Sequence, residues 1–297
     1  MAESTIGDSI LDPKHPNFIP IQDFGLDNIP EGFRSDAVLE YIKNISARTV
    51  KLVTRYTSPD RPASSTRGFK DGKRLGSGWV VKVEYLNWQC ECPECKESLA
   101  PESHCWAVIV NTSTQLVYDS QEAKATQVEL FYDKESFREE GKVITLHGAD
   151  LEVTNPASPY ISLLVCFTCD AALASQLDNY RKESMALRSA ILREMREDVD
   201  LTQFLVICHP QGLPKHIWMS PELERVRSST LFSSAVSIYS ARTCPGVVGG
   251  PVVILHGKDC EDLVWFPVVD NNFDTALSNF SISTNVAAND FNYSQFC

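Results

Sequence analysis

Between residues 171 and about 196, Leu173, Leu177, Tyr180, Ser184, Leu187, Ile191 and Met195 recur at spacings of three and four. That is the period of one mostly apolar helix face. On either side the chain reads as short, turn-separated segments of strand length. The clearest is 49–56, which alternates with period two; 79–85, 106–110, 115–118, 127–132, 142–146 and 161–167 follow before the helix. After it come 203–208, 216–219, 234–239, 251–255 and 263–268. Two groups of about six strands split by one helix predict an all-β fold of two six-stranded antiparallel β-barrels with the helix between them. A pair of β-sandwiches fits the same pattern. The expected organisation is an acidic N-terminal arm at 1–45, a first barrel at 46–170, the connecting helix at 171–198, a second barrel at 199–270 and an Asn- and Ser-rich tail at 271–297. Within the arm, Ser35 reads as the N-cap of a short helix carrying Val38, Leu39 and Ile42; the residues before it read as extended or disordered.

The 297 residues carry a formal net charge of -12, so the surface as a whole repels phosphate backbones and nucleic acid is not an expected partner. Arg55, Arg61, Arg67, Lys70, Lys73 and Arg74 gather locally, which reads as a solvated loop balancing nearby acids. No apolar run approaches the ~18 residues of a membrane span. The first twelve residues are polar and acidic, unlike a signal peptide, so a cytoplasmic location is expected. In that compartment the ten cysteines are expected as thiols or metal ligands rather than disulfides.

One string is more specific than the strand pattern: Thr243-Cys244-Pro245-Gly246-Val247-Val248-Gly249-Gly250-Pro251-Val252. It resembles the Gly-x-Ser-Gly-Gly-Pro nucleophile loop of trypsin-like serine proteases. In that family the loop's backbone amides hold the oxyanion and its serine attacks the scissile carbonyl. The segment 108–117 is similar to the one carrying the family's histidine, and Tyr160-Ile161-Ser162-Leu163-Leu164 to the one carrying its aspartate. Gly76-Ser77-Gly78-Trp79-Val80 looks like the strand opening the first barrel. The resemblance spans roughly residues 50–269 and is nearest an invertebrate branch sharing Tyr-Thr-Ser-Pro-Asp-Arg-Pro (56–62), the Cys-rich segment at 90–95 and Leu-Phe-Tyr-Asp (130–133). It places the histidine position on Gln115, the aspartate position on Tyr160 and the serine position on Val248, 45 and 88 residues apart in the family's order. It also implies an oxyanion-like turn at Gly246, Val248 and Gly249. Valine has no nucleophilic atom and glutamine is no base near neutral pH. The implied protein is therefore a protease homologue without a working triad, binding a protein or peptide partner as scaffold or regulator; the alternative is a residual hydrolase with a rearranged site. Residues 265–269 would form a bulky apolar wall of its cleft.

Cys90-x-Cys92-x-x-Cys95, with Cys105 after it, has the spacing of a metal knuckle, and makes these four the candidate ligands of a structural zinc; no other cofactor is expected. Cys166-x-x-Cys169 falls at a strand end, where a side chain packs inward. His209 and His216 read as turn and strand histidines rather than a surrogate base, and Cys244 precedes the glycine turn and points elsewhere. Oligomeric state is not legible.

Overall fold

The computed structural model describes residues 18–62, 73–98, 102, 104–152, 161–194, 202–219, 227–231, 234–239, 245–256, 264–265, 269–270 and 281–285. Phe18–Pro20 (β1) leads through three single 3-10 turns into Asp36–Ala47 (α1). Ser35 caps α1, its hydroxyl accepting the Val38 amide at 3.2 Å and satisfying one of the orphan donors of the first turn. The helix buries Val38, Leu39, Ile42 and Ile45.

Six antiparallel strands then close into a barrel. They are Thr49–Thr54 (β2), Arg74–Leu86 (β3), Cys105–Ser113 (β4), Thr126–Leu130 (β5), Ile144–Glu152 (β6) and Ile161–Thr168 (β7). Their spatial order is β2-β3-β4-β7-β6-β5, with β5 returning to β2. Short helices Pro93–Glu97 (α2), Ser120–Lys124 (α3) and Ser136–Glu139 (α4) lie in the connections. The strand period of two sorts the side chains: Val50 and Leu52, Val108 and Val110, Val128 and Leu130, and Leu164 and Cys166 fill the interior. Ala107, Ile109, Ile161 and Leu163 pack together in a separate cluster on the opposite face. Residues 115–118, expected as a strand, are instead the end of a turn (114–116) and the irregular chain after it; the reason lies in the side chains that take up its carbonyls, described below.

Ala171–Glu194 (α5) follows, close to the expected 171–196. Asp170 caps it by accepting the amides of Ala172 and Leu173 at 2.9 and 3.0 Å. Leu173 and Leu177 complete the barrel core, whereas Leu187 and Ile191 join a core shared with α1. The polar Ser184 in this apolar stripe has a partner: buried Arg48 donates to its hydroxyl at 3.0 Å and to the Val80 carbonyl at 2.9 Å. The guanidinium lies 5.0 Å from the Trp79 ring centroid, and burial pulls its pKa down to about 10.

The remaining strands are Thr202–Cys208 (β8), His216–Met219 (β9), Arg227–Leu231 (β10), Ser234–Tyr239 (β11), Val252–His256 (β12), Val264–Trp265 (β13), Val269–Asp270 (β14) and Ser281–Asn285 (β15). They form a five-stranded sheet, β1-β9-β8-β12-β13, and a four-stranded sheet, β10-β11-β15-β14. Among the described residues there is one closed barrel, not two. The arm, expected as extended or disordered, supplies the edge strand of the larger sheet: Phe18 pairs with Trp218 and Pro20 with His216. A proline suits an edge because it has no amide to give to a further neighbour. The sheet is buried on both faces, by Leu205, Ile207, Ile217, Val253 and Leu255 against the helices, and by Phe204, Val206, Cys208, Val252 and Ile254 together with Val247 on the other. No helix among the described residues is long and apolar enough to cross a membrane.

Candidate functional site

The turn after β4 carries Gln115. The Leu116 and Val117 amides both donate to the Ser113 carbonyl, at 2.9 and 3.1 Å. The outward carbonyls are taken by two arginines. Arg61 donates to Thr114 and Gln115 at 3.2 and 3.0 Å, and Arg74 to Leu116 at 3.0 Å. Side chains thus take the place of a neighbouring strand, which is why this alternating stretch does not extend. Both guanidiniums are buried against one carboxylate, Glu122, at 2.5 Å from Arg61 and 2.7 Å from Arg74. Glu122 also accepts the amides of Ser58 and Tyr118 at 3.0 and 2.9 Å. Burial alone would raise its pKa; the Arg61 hydrogen bond and these amides outweigh burial and hold the carboxyl below its ordinary range. The basic stretch is therefore not simply a solvated loop: Arg55 and Lys73 are exposed, but Arg61 and Arg74 are interior, and Arg67 and Lys70 lie outside the described residues.

The Gly-rich loop, residues 245–250, lies between β3 and the β8–β9 turn. Ser77 donates its amide to the Val248 carbonyl at 2.8 Å and its hydroxyl to the Gly246 carbonyl at 2.7 Å, while accepting the His209 amide at 2.8 Å. Gly246 and Gly249 have φ of 96° and 87°, the left-handed side that glycine alone adopts freely. Neither has room for a Cβ, which would fall 2.0 Å from the His209 carbonyl oxygen at Gly246 and 2.1 Å from the Ser77 carbonyl oxygen at Gly249.

Gly76 is where the two segments meet. A Cβ there would lie 2.3 Å from a Leu116 methyl and 2.9 Å from the Val248 carbonyl oxygen. The turn carrying Gln115 and the loop carrying Val248 thus adjoin across β3. Tyr160 lies outside the described residues; its neighbour Ile161 opens β7 opposite Ser113, two residues before Gln115. Cys244 and residues 266–268 also lie outside them, and Trp265 pairs with Val252.

Among the described residues the junction is short of reactive groups. The half-buried Val248 offers no nucleophile. Val247 is buried in the sheet core. The Gly246 amide, which the resemblance implies should face an oxyanion, donates instead to the Leu75 carbonyl at 3.1 Å. Ser77 is buried with its hydroxyl occupied on both sides.

The two histidines nearby are also committed to the fold. His209 Nδ1 lies 3.0 Å from the Leu213 carbonyl, and His216 Nδ1 2.7 Å from that of Pro214, so Nδ1 carries the proton in each. The His209 ring stacks on Tyr132 at 6.0 Å between centroids. Burial, then the Lys215 charge, holds His209 well below its ordinary 6.5; burial lowers His216 as well. Folded, each imidazole takes up its proton at a lower pH than in the unfolded chain, which binds protons below about 6.5. Their contribution is complete above that pH and is lost as pH falls, by up to about 1.4 kcal/mol per unit for each. Glu122 acts in a lower window, its stabilisation complete above about 4.5 and lost below. The urea midpoint is therefore expected to fall between pH 7 and pH 5, and His209→Gln to flatten that slope. A midpoint constant across the interval would show that the fold does not lower the proton affinity of these imidazoles.

A second constellation lies at the far end of β3 and β4. The sulfurs of Cys90, Cys92 and Cys95 all lie within 4.8 Å of one another, an arrangement that could hold a metal ion. Cys105 is fully buried beside them. Cys169, expected at a strand end and not among the four candidate ligands, also reaches the cluster. Cys166 does pack inward, its thiol pushed up to about 12 by burial. Cys169 lies beyond the end of β7, and its sulfur is 3.7 Å from that of Cys92.

No family model and no curated protein matches the chain. Among solved structures it is similar to a thermostable serine protease from an extremophilic microorganism, at 10% identity over 81% of this chain and 91% of that one, with a TM-score of 0.38.

Proposed function

We propose that this chain is a protease-fold binding protein of the trypsin-like type that does not cleave peptides. In this reading the second half forms a second barrel, and the junction between the halves receives an extended protein or peptide segment by strand addition. The observation that carries it is the Gly-rich loop held on β3 by Ser77, with the Gly246 amide already bonded to Leu75 and valine where the resemblance assigns the attacking serine. Conserving such a turn needs only glycines and backbone groups; working it as an active site needs a nucleophile, a base and a donor for the leaving amine.

The test is covalent labelling with a serine-directed phosphonofluoridate, read by intact mass, beside cleavage assays on unfolded protein. Neither labelling nor cleavage is expected. Restoring Val248→Ser, Gln115→His and Tyr160→Asp together is expected to be needed before any label attaches. Labelling of the unmodified chain, abolished by changing some other residue, would refute the reading and locate the true nucleophile.

A further inference from the structure

The cysteine cluster supports an inference that stands apart from the Gly-rich loop. We propose that Cys90, Cys92, Cys95 and Cys169 are the four thiolate ligands of one structural zinc ion, with Cys105 packed behind them and not bound. Zinc holds thiolates at about 2.3 Å, so the edges of a four-sulfur tetrahedron are about 3.8 Å. The Cys92–Cys169 separation is 3.7 Å, and the sulfurs of Cys90, Cys92 and Cys95 lie within 4.8 Å of one another. All five cysteines are free thiols.

Adjacency chooses between Cys169 and Cys105. The Cys169 sulfur lies within hydrogen-bonding reach of both Cys92 and Cys95. The Cys105 sulfur is partnered by Cys90 and the Trp88 side chain. A tetrahedron built on Cys92 and Cys95 therefore finds its remaining corners at Cys90 and Cys169.

The surrounding backbone suits charged sulfur. The Cys92 amide donates to Cys90 Sγ at 3.5 Å, and the Glu102 backbone to Cys95. Glu102 in turn accepts the Cys90 amide at 3.0 Å, so one peptide segment braces two of the four corners. A neutral thiol is a poor acceptor, whereas a metal-bound thiolate is a good one. Pro93 opens α2 between Cys92 and Cys95 and fixes the tight turn that brings these two together. Four soft ligands leave no open position, which is the pattern of a structural rather than a catalytic centre. Cys169 stands between β7 and α5, so the ion would fasten the β3–β4 connection to the point where the chain leaves the barrel.

The test uses the full chain purified without chelator, its metal measured by plasma mass spectrometry. About one zinc per chain is expected, falling roughly tenfold in Cys169→Ser and unchanged in Cys105→Ser. Because Cys169→Ser could fail to fold, the cobalt-substituted protein gives a second readout: an intense tetrahedral four-thiolate spectrum in the wild type, shifted in Cys169→His. Zinc lost from Cys105→Ser but kept by Cys169→Ser would overturn the ligand set, as would an unshifted cobalt spectrum in Cys169→His. Iron in place of zinc, or metal-free chain with these cysteines in disulfides, would overturn the site.

Discussion

Glu122→Ala is expected to cost the fold about 3–5 kcal/mol, the range for removing one partner from a buried ionic group. The carboxylate is fully buried and is the shared counterion of Arg61 and Arg74. Removing it leaves two guanidiniums in the interior without their counterion, and also releases the amides of Ser58 and Tyr118. The same arginines fix the three carbonyls of the Gln115 turn, so the loss spreads to the barrel end next to the Gly-rich loop. A domain stabilised by about 5–15 kcal/mol would keep little margin. Urea unfolding of Glu122→Ala beside Glu40→Ala makes the comparison, since Glu40 pairs with Lys43 on the surface and its removal should change stability by about 0.5 kcal/mol or less. If the two variants unfold alike, the buried cluster does not hold this end of the barrel.

Gly249→Ala is expected to rank with it, at about 3–5 kcal/mol, combining left-handed backbone strain with overpacking, each of roughly 1–3 kcal/mol. The methyl would have to share space with the Ser77 carbonyl oxygen and the Thr112 hydroxyl, at 2.1 and 2.3 Å. Neither can simply rotate away. Ser77 is fixed in β3, and Thr112 donates to that same carbonyl at 2.8 Å. Gly141→Ala separates the two contributions: its φ is also positive, at 67°, but nothing lies within 4 Å of an added Cβ. That variant should lose only the strain, about 1–2 kcal/mol. Equal losses at the two glycines would mean that the loop does not press on β3 as closely as described.

The elements that sequence made legible are those whose signal is local. The α5 stripe needs only spacing, and the α1 start needs only a hydroxyl three residues before an amide. What stayed hidden depended on distant partners. Residues 115–118 alternate like a strand, but the Gln115 and Leu116 carbonyls go to arginines at positions 61 and 74 and that of Val117 to the Ser162 hydroxyl, and no local pattern announces that. Arg61 and Arg74 looked solvated because Glu122, which permits their burial, lies far along the chain. Cys169 was set aside as part of a strand end, because its relation to Cys90–Cys95 appears only once Trp106 is paired with Thr168. The glycines of the Gly-rich loop were readable by motif, yet the use of the Gly246 amide by Leu75 was not. The second half was expected as a six-stranded barrel; the larger of its two described sheets takes an edge strand from the arm, whose composition gave no hint of it.

The edge strand β1 and helix α1 also set a timetable for synthesis. Phe18–Pro20 has its partner in His216–Met219, and the face that α1 covers is made of β8, β9 and β12. The barrel strands and α5 all lie between these partners in the chain. β1 and α1 are therefore made well before the strands they pack on, and pairings this distant close slowly. During that interval Ile29, Phe33, Leu39 and Ile42 have α5 and Trp79 to pack on but not the sheet face of Leu205, Ile217 and Val253, which makes closure of that sheet the expected slow step of folding.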